Sequence, residues 1–184
     1  MKGISAIIIA KDEDHNMPSC VKSLQGLDEV LVIDTGSSDG TISVAKRHGA
    51  RVISEEWLGF AAQRQRSLGH AKNDWVLFLD ADERLCPELL KTIMSLEPVD
   101  GIAGYFLIRR NYFLGRAMRN ARWANDWQLR LFDKRKAVIA PVAVHEGVTV
   151  DGNTARLEAG WIEHLTAPSL QKYLDKLNRY TTLE

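Results

Sequence analysis

The sequence has no apolar run long enough to cross a bilayer. Its first apolar run, residues 4–10, is shorter than the core of a signal peptide, and no cleavage-site pattern follows it. On these grounds we expect a cytoplasmic protein without a secretion signal.

The sequence also lacks a net charge and contains little cysteine. The 184 residues carry 24 basic and 24 acidic side chains, so the formal charge is zero and we expect no nucleic-acid partner. The two cysteines, Cys20 and Cys86, lie far apart and fit no metal-binding motif. We expect both to be reduced and buried.

Glycine-rich phosphate-binding loops are also missing. No Gly-x-Gly-x-x-Gly follows the first apolar run, which argues against a dinucleotide cofactor, and no Walker-type loop occurs. A sugar-phosphate nucleotidyltransferase would need a glycine-rich basic loop after that run, where this chain has acidic residues instead. A phosphatase with an Asp-x-Asp nucleophile would carry the motif on its opening strand, whereas here the motif starts at Asp80.

The first half of the sequence alternates strand-like and helix-like segments. Runs rich in Ile, Val and Leu at residues 4–10, 30–33, 51–53 and 75–79 predict buried parallel strands. Helices are predicted at residues 18–24, 41–48, 60–71 and 87–96. This is an α/β plan, with a mainly parallel, Rossmann-like sheet flanked by helices.

After Gly101 the pattern changes to shorter strands around polar turns. They are predicted at residues 105–110, 128–132, 144–150 and 155–164, and a helix is predicted from about residue 168 to 180. This half should be mixed or antiparallel. No linker separates the halves, so we expect one domain made of residues 1–100 and 101–184. The chain stops within a helical pattern, which suggests a C-terminal truncation.

Three of the predicted strands end in acidic residues. The first leads into residues 11–14, the second into Asp34 and the fourth into Asp80 and Asp82. Ligands of open α/β sheets bind at the carboxyl ends of strands, so these side chains should meet at one edge. Carboxylates gathered in this way repel one another, and a metal ion or a donor-rich ligand would stabilise them.

Asp80 and Asp82 are two residues apart, so in an extended chain they point to the same side and can bind one Mg²⁺ or Mn²⁺. Such an ion would neutralise the charge that builds up on a departing diphosphate. The alternative is that Asp82 or Glu83 caps the helix that enters at Pro87.

Asp34 is followed by the small residues 35–38, which leave room for a base or ribose against the backbone. Its carboxylate would accept hydrogen bonds from that ligand. Asp39 is expected instead to cap the helix that starts at Thr41.

The segments that carry these residues together resemble a known family. They are SAIIIAKDEDHNMPSCVKSL, DEVLVIDTGSSDGT, GFAAQRQRSL, DWVLFLDADERL, DWQLRLF and VHEGV, in this order. The combination is similar to glycosyltransferase family two with a GT-A fold, and most of all to bacterial enzymes that add sugars to the lipopolysaccharide inner core. The resemblance implies metal-dependent, inverting transfer of a sugar from a nucleotide-sugar, with UDP as the expected nucleotide, to a hydroxyl of a glycolipid or saccharide acceptor.

The resemblance also implies roles for single residues. Asp34 would contact the uracil-type base, while Asp80 and Asp82 would bridge ribose, metal and diphosphate. Arg64 and Gln65 match positions near the donor, where a guanidinium can pair with diphosphate oxygens. The alternative for Arg64 is a solvent-facing helix position.

Inverting transfer needs a base that takes the proton of the acceptor hydroxyl. Glu146 is the first candidate and Asp126 the second, because the Glu-Asp pair of many relatives is absent here. His145 would hold the loop of Glu146 or touch the acceptor. His164 would complete the metal shell or be an ordinary structural histidine. Arg130 alternates with apolar neighbours and is expected to point toward the cleft.

Five arginines follow one another without an intervening acid, at positions 109, 110, 116, 119 and 122. They would bind a phosphorylated glycolipid or the anionic inner face of the cytoplasmic membrane, or else form an ordinary solvated loop. The alternative to an enzyme is a non-catalytic module that binds sugar nucleotides or glycolipids.

Overall fold

The computed structural model describes residues 3–97, 99–118, 125–139 and 147–167. Within these ranges the chain forms, in order, β1 (Ile4–Ala10), α1 (Met17–Lys22), β2 (Glu29–Asp34), α2 (Thr41–Arg47), β3 (Arg51–Ser54), α3 (Phe60–Leu68), β4 (Trp75–Asp80), β5 (Glu83–Leu85), α4 (Pro87–Ser95), β6 (Ile102–Phe113), β7 (Arg116–Ala117), β8 (Asp126–Asp133), β9 (Ala137–Ile139), β10 (Val148–Val150) and β11 (Asn153–Ala167).

The first four strands form the parallel part of the main sheet, in the order β3-β2-β1-β4. Strand β1 is buried on both faces because Ile8 packs into the core under α1, α2 and α4, while Ile7 packs into a second core against α3. All four predicted strands and all four predicted helices of this half are confirmed, although α3 ends at Leu68, three residues earlier than predicted.

The second half continues the same sheet with mixed pairing. Strand β8 lies antiparallel to both β4 and β6, β6 pairs with β11 in parallel, and β5 is antiparallel to β11. The predicted mixed arrangement is confirmed. The short strands β5, β7 and β9 were not predicted from the sequence.

The order of the strands requires the sheet to curl. Strand β5 is four positions away from β4, which would be about 19 Å in a flat sheet with strands about 4.8 Å apart. Yet only Ala81 and Asp82 separate the two strands along the chain, and Asp80 and Glu83 can be at most about 10 Å apart. The half formed by β6, β11 and β5 therefore bends back toward the carboxyl end of β4.

Gly160 lets β11 pass close to helix α4. Its φ is +81°, and a Cβ atom there would lie 2.5 Å from the backbone nitrogen of Leu89. Only glycine combines this conformation with this contact. The residue lies at an irregularity where the register of β11 against β6 shifts between Leu157 and Ile162.

Some predictions fall outside the described residues. These are the helix at residues 168–180 and the first part of the strand at 144–150, of which β10 is the described remainder. Cys20 and Cys86 are both free and buried, as predicted. Within the ranges that the structure describes, no helix is both long and apolar enough to cross a membrane.

Candidate active site

Asp34 ends β2 at the carboxyl edge of the parallel strands and is only 1% exposed. Its Oδ2 atom accepts hydrogen bonds from the backbone N–H groups of Gly36 and Ser37, both at 3.2 Å. Its buried Oδ1 atom has no hydrogen-bond partner in the described part of the chain. An unpaired buried acceptor is costly, so a hydrogen-bond donor that reached this oxygen would stabilise the site.

The loops after β1 and β2 are tied together by other carboxylates. Asp12 accepts from the backbone N–H of Ser38 at 2.7 Å, and Asp39 accepts from that of Asp14 at 3.1 Å. Asp39 also accepts from the backbone N–H of Thr41 at 2.9 Å, at the start of α2. Asp39 thus binds the first residue of α2, but the N-cap position itself is held by Gly40 without a side-chain capping bond, which corrects the predicted N-cap role of Asp39. Asp12 and Asp39 organise the loop backbone.

Asp80 ends β4 between two arginines. Its Oδ1 accepts from Arg64 at 3.0 Å and its Oδ2 from Arg130 at 2.9 Å. Burial opposes the ionisation of Asp80, but the charges of Arg130 and Arg64 outweigh it and hold the pKa of this carboxyl well below its usual range. Arg64 therefore faces the site and not the solvent.

Glu83 lies beneath Asp80, and its side chain is fully buried. Its Oε2 accepts from the backbone N–H of Asp80 at 3.0 Å, while its Oε1 accepts from Arg130 at 2.9 Å and from Arg109 at 3.1 Å. Glu83 supports the motif instead of capping α4, whose N-cap is Cys86, without any side-chain capping bond. The helix-cap alternative for Glu83 was therefore wrong.

Arg130 connects the carboxylates of Asp80 and Glu83. The residue is 5% exposed, and its Nη2 atom donates to both Asp80 and Glu83. The prediction that Arg130 points toward the cleft needs a correction, because its guanidinium is covered by the two acids. Burial would lower its pKa, yet the nearby Asp80 and Glu83 raise the pKa above the ordinary arginine value.

Asp126 takes part in a second group of contacts at the start of β8. Its Oδ2 accepts from Arg109 Nε at 2.7 Å and from Asn111 Nδ2 at 3.2 Å, and its Oδ1 accepts from Gln128 at 2.6 Å. Burial opposes ionisation, but the bonds from Gln128 and Arg109 lower the pKa of Asp126 below its ordinary value. Such a carboxylate is a weaker proton acceptor than an ordinary one.

His164 and Asp82 complete the arrangement. In the sheet His164 is paired with Asn111 of β6 on one side and Glu83 of β5 on the other. Its Nδ1 atom lies 2.6 Å from Asn111 Oδ1, and its Nε2 atom lies 3.3 Å from Oδ2 of Asp82. The curl of the sheet thus brings together residues from β4, β6, β8 and β11.

The pair Asp82 and His164 fits a divalent ion. Two ligands at right angles, each about 2.1 Å from a metal, are about 3 Å apart, close to the 3.3 Å between these side chains. In the described ranges no group of three His, Cys, Asp or Glu side chains has metal-binding geometry. Mg²⁺ sites commonly use one or two carboxylates and complete their shell with water and substrate phosphates, so a pair is sufficient.

Of the other predicted residues, one lies away from the Asp80 contacts and two lie outside the described ranges. Gln65 is on the exposed face of α3, whereas its neighbour Gln63 is buried and donates to Glu55 at 2.6 Å. Glu146 and His145 lie outside the described residues.

Glu83, Arg109 and Asn111 belong to the site, although none of them was predicted as a site residue from the sequence. Arg109 was grouped with surface arginines, but its side chain bonds to Glu83 and Asp126. The signal was present, because Arg109 and Asn111 follow the buried Leu107 at intervals of two on the same face of β6.

Comparison with known proteins decides the family. The profile described as glycosyl transferase family 2 matches residues 5–151. The chain belongs to glycosyl transferase family 2. The predicted family and the predicted glycosyltransferase activity are thereby confirmed.

Relatives within the family span nearly all of this chain. The lipopolysaccharide core biosynthesis glycosyltransferase LpsC of Rhizobium meliloti is 30% identical over 98% of this chain and 70% of its own length. An uncharacterized glycosyltransferase of Rickettsia prowazekii is 43% identical over 99% of this chain, which covers 66% of that relative.

Solved structures support the glycosyltransferase fold. The glucosyl-3-phosphoglycerate synthase of Mycobacterium tuberculosis, in complex with Mn²⁺, UDP and phosphoglyceric acid, matches 96% of this chain and 74% of its own, with a TM-score of 0.63 and 20% identity. The mannosyl-3-phosphoglycerate synthase of Rubrobacter xylanophilus matches 60% of this chain and 41% of its own, with a TM-score of 0.50 and 25% identity.

Proposed function

We propose that this family 2 glycosyltransferase moves a sugar, with inversion, from a nucleoside diphosphate sugar to a hydroxyl of a glycolipid or polysaccharide acceptor. UDP is the nucleotide we expect. The observation that carries the proposal is the convergence of Asp34, Asp80, Asp82 and His164 at the carboxyl edge of one curled sheet.

The nucleoside would bind against the loop after β2. The unpaired Oδ1 of Asp34 is an acceptor for a base N–H or a ribose hydroxyl, and Oδ2 is held in place by two backbone N–H groups. Arg64 reaches the same edge from α3 and already binds a carboxylate oxygen of Asp80. A guanidinium in this position can turn to the oxygens of a diphosphate.

Asp82 would bind Mg²⁺ or Mn²⁺ through Oδ2, and His164 would bind the same ion through Nε2. Asp80 would add a second carboxylate to the site. When bound, the ion supplies Lewis-acid neutralisation of the charge on the departing diphosphate. Asp80 is kept ionised by Arg64 and Arg130, so its carboxylate is ready for this role at neutral pH. The Mycobacterium neighbour, which shares the fold, holds Mn²⁺ and UDP.

The base that activates the acceptor would be Glu146, with His145 beside it. Asp126 is the weaker candidate, because three side chains donate to its carboxylate and its pKa is lowered. A base needs a free lone pair directed at the hydroxyl that it deprotonates.

The name of the Rhizobium relative supports an acceptor in lipopolysaccharide core biosynthesis. We further propose a cytoplasmic enzyme that rests on the anionic inner face of the membrane, where such an acceptor would be presented. Arg116 is exposed at the start of β7, and Arg110 is exposed with its guanidinium stacked 3.6 Å from the centre of the Trp161 ring. Each such surface cation would contribute on the order of 1 kcal/mol at an anionic bilayer.

A donor panel tests the proposal. Thermal shifts are measured with UDP, GDP and CDP and their sugars, with Mn²⁺ present, and nucleotide release is then followed with the best donor. A ligand at 100 times its Kd stabilises the folded state by about 2.7 kcal/mol, so a true donor is readily seen. Asp34→Asn should reduce the preference for one base. Asp39→Asn, in the same loop, should retain this preference when each thermal shift is measured against the ligand-free Asp39→Asn protein. The absence of a shift with every nucleotide would refute the proposal.

A further inference from the structure

His164 is connected to Asp126 through a single buried amide. The Nδ1 atom of His164 lies 2.6 Å from Asn111 Oδ1, and Asn111 Nδ2 donates to Asp126 Oδ2 at 3.2 Å. Asn111 is 1% exposed, so water does not compete for either contact. The three residues come from β11, β6 and β8, which are neighbours in the sheet.

The orientation of this amide follows from the chemistry of its partners. Asp126 also receives hydrogen bonds from Arg109 at 2.7 Å and Gln128 at 2.6 Å, which stabilise it as an anion. An ionised carboxylate only accepts, so Asn111 must present its NH₂ group to Asp126. Its carbonyl oxygen then faces His164, and this oxygen also only accepts. The proton of a neutral His164 must therefore lie on Nδ1.

We propose that Asp126 and Asn111 are positioning residues that hold His164 in its Nδ1–H tautomer, with the lone pair of Nε2 directed toward a divalent cation shared with Asp82. The purpose of this Asp126–Asn111–His164 relay rests on the proposed metal-dependent function. Metal-bound histidines generally donate their other ring N–H to such a partner, which fixes both the tautomer and the orientation of the ring.

The surroundings of Nε2 agree with this role. In the Nδ1–H tautomer the Nε2 lone pair faces Oδ2 of Asp82 at 3.3 Å. Two electron-rich atoms at this distance repel each other, and a cation between them would turn the repulsion into coordination. The charged groups around the relay include Arg109, which binds Asp126, and Glu83, which is paired with Arg109 and Arg130. Asp80 is close enough to His164, and Arg130 to Asp126, for an electrostatic interaction. The relay thus assigns Asp126 a structural task that differs from proton abstraction.

The tautomer can be observed without any metal. We would record ¹⁵N–¹H correlation spectra of the ¹⁵N-histidine-labelled, metal-free protein at about pH 8, where an ordinary imidazole is neutral. The signals of His164 are assigned among the five histidines by their loss in His164→Gln. The relay predicts a protonated Nδ1 and an unprotonated Nε2. A neutral His164 protonated on Nε2 would overturn it, and this measurement needs no variant of Asp126.

Variants then test the cause. In Asp126→Asn the new amide can also donate a hydrogen bond, so the side-chain amide of Asn111 can flip by 180°. We therefore expect a mixture of His164 tautomers and a Mn²⁺ affinity that is lower by about 10- to 100-fold. Electron paramagnetic resonance of free Mn²⁺ measures this affinity. The matched control is Gln128→Ala, which removes a bond to the same carboxylate but leaves it an acceptor for Asn111. In Gln128→Ala the tautomer of His164 and the Mn²⁺ affinity of the protein should be unchanged. Equal effects of both variants, or none in Asp126→Asn, would overturn the relay.

These readouts separate the relay from the proposed function. An Nδ1–H tautomer that depends on Asp126, in a protein that binds no Mn²⁺, would support the relay and refute the metal-dependent transfer. Strong Mn²⁺ binding with an Nε2–H tautomer in the metal-free protein would refute the relay alone.

Discussion

Arg130 donates from one nitrogen, Nη2, to Asp80 Oδ2 and to Glu83 Oε1, each at 2.9 Å. The guanidinium is buried and neutralises two carboxylates that would otherwise repel each other at the end of β4. The Asp-x-Asp motif is thus held by an arginine from a strand about fifty residues later in the chain.

Removal of this guanidinium should destabilise the fold. We expect Arg130→Met to lower the free energy of unfolding by about 3–5 kcal/mol, because it leaves buried Glu83 and the neighbouring Asp80 without their shared partner. Urea denaturation measures the change. Arg135→Met is the matched control: Arg135 also bridges two carboxylates, those of Asp133 and Asp74, but its side chain is 62% exposed. A comparable loss in both variants would contradict the account.

The acid sensitivity of the protein should depend in part on Glu29, at the other end of the sheet. Burial opposes its ionisation, but bonds from the Ser5 hydroxyl, the Lys72 backbone N–H and Arg51 lower its pKa. The folded state then binds a proton less readily than the unfolded chain. Its stabilising contribution is complete above the unfolded-state pKa of about 4.3 and declines as the pH falls toward the folded-state pKa.

Glu29→Gln should therefore lower the free energy of unfolding at pH 7 by about 1.5–3 kcal/mol, as expected for hydrogen bonds to a charged group. Urea titrations between pH 7 and about pH 3 should show a shallower decline in the variant than in the parent. Parallel curves would show that Glu29 contributes nothing to the acid sensitivity.

Gly160→Ala should be more destabilising than a glycine change without a close contact. Gly49 has a similar φ of +93°, but nothing lies within 4 Å of the position that a Cβ atom would take, so Gly49→Ala costs only the conformational strain of about 1–2 kcal/mol. Gly160→Ala adds the collision with Leu89, worth about 1–3 kcal/mol more. Thermal unfolding of the two variants measures the difference, and equal losses would show that α4 moves aside freely.

Glu146→Gln should separate catalysis from binding. If Glu146 is the base, kcat falls by about 10²- to 10⁴-fold while the affinity for the donor stays the same. Asp126→Asn is the comparison, because the relay predicts a loss that saturating Mn²⁺ restores. Steady-state kinetics at several Mn²⁺ concentrations distinguish the two, and full turnover in Glu146→Gln would remove it as the base.

The sequence predicted local structure and the acidic edge well, for identifiable reasons. Strands such as β1, β2 and β4 contain continuous apolar runs, and the ends of β2 and β4 place Asp34 and Asp80 by the geometry of parallel sheets alone. The family motifs added Arg64, which the structure brings to Asp80.

The supporting contacts could not be predicted in the same way. Glu83, Arg109 and Asn111 acquire their partners only because the sheet curls and β11 inserts between β6 and β5. No local pattern specifies a pairing between residues 111 and 164, which is set by the register of two distant strands. Asp126 was predicted as a base from its residue type, whereas its partners are visible only in the folded chain.

The most direct test of the central claim is the calorimetric affinity of UDP for the protein with Mn²⁺ and with EDTA. If Asp82 and His164 hold the ion that carries the diphosphate, Mn²⁺ should tighten UDP binding at least about tenfold, or about 1.4 kcal/mol, and Asp82→Asn should abolish that gain. An equal affinity with Mn²⁺ and with EDTA, or a Mn²⁺ gain retained in Asp82→Asn, would contradict the account.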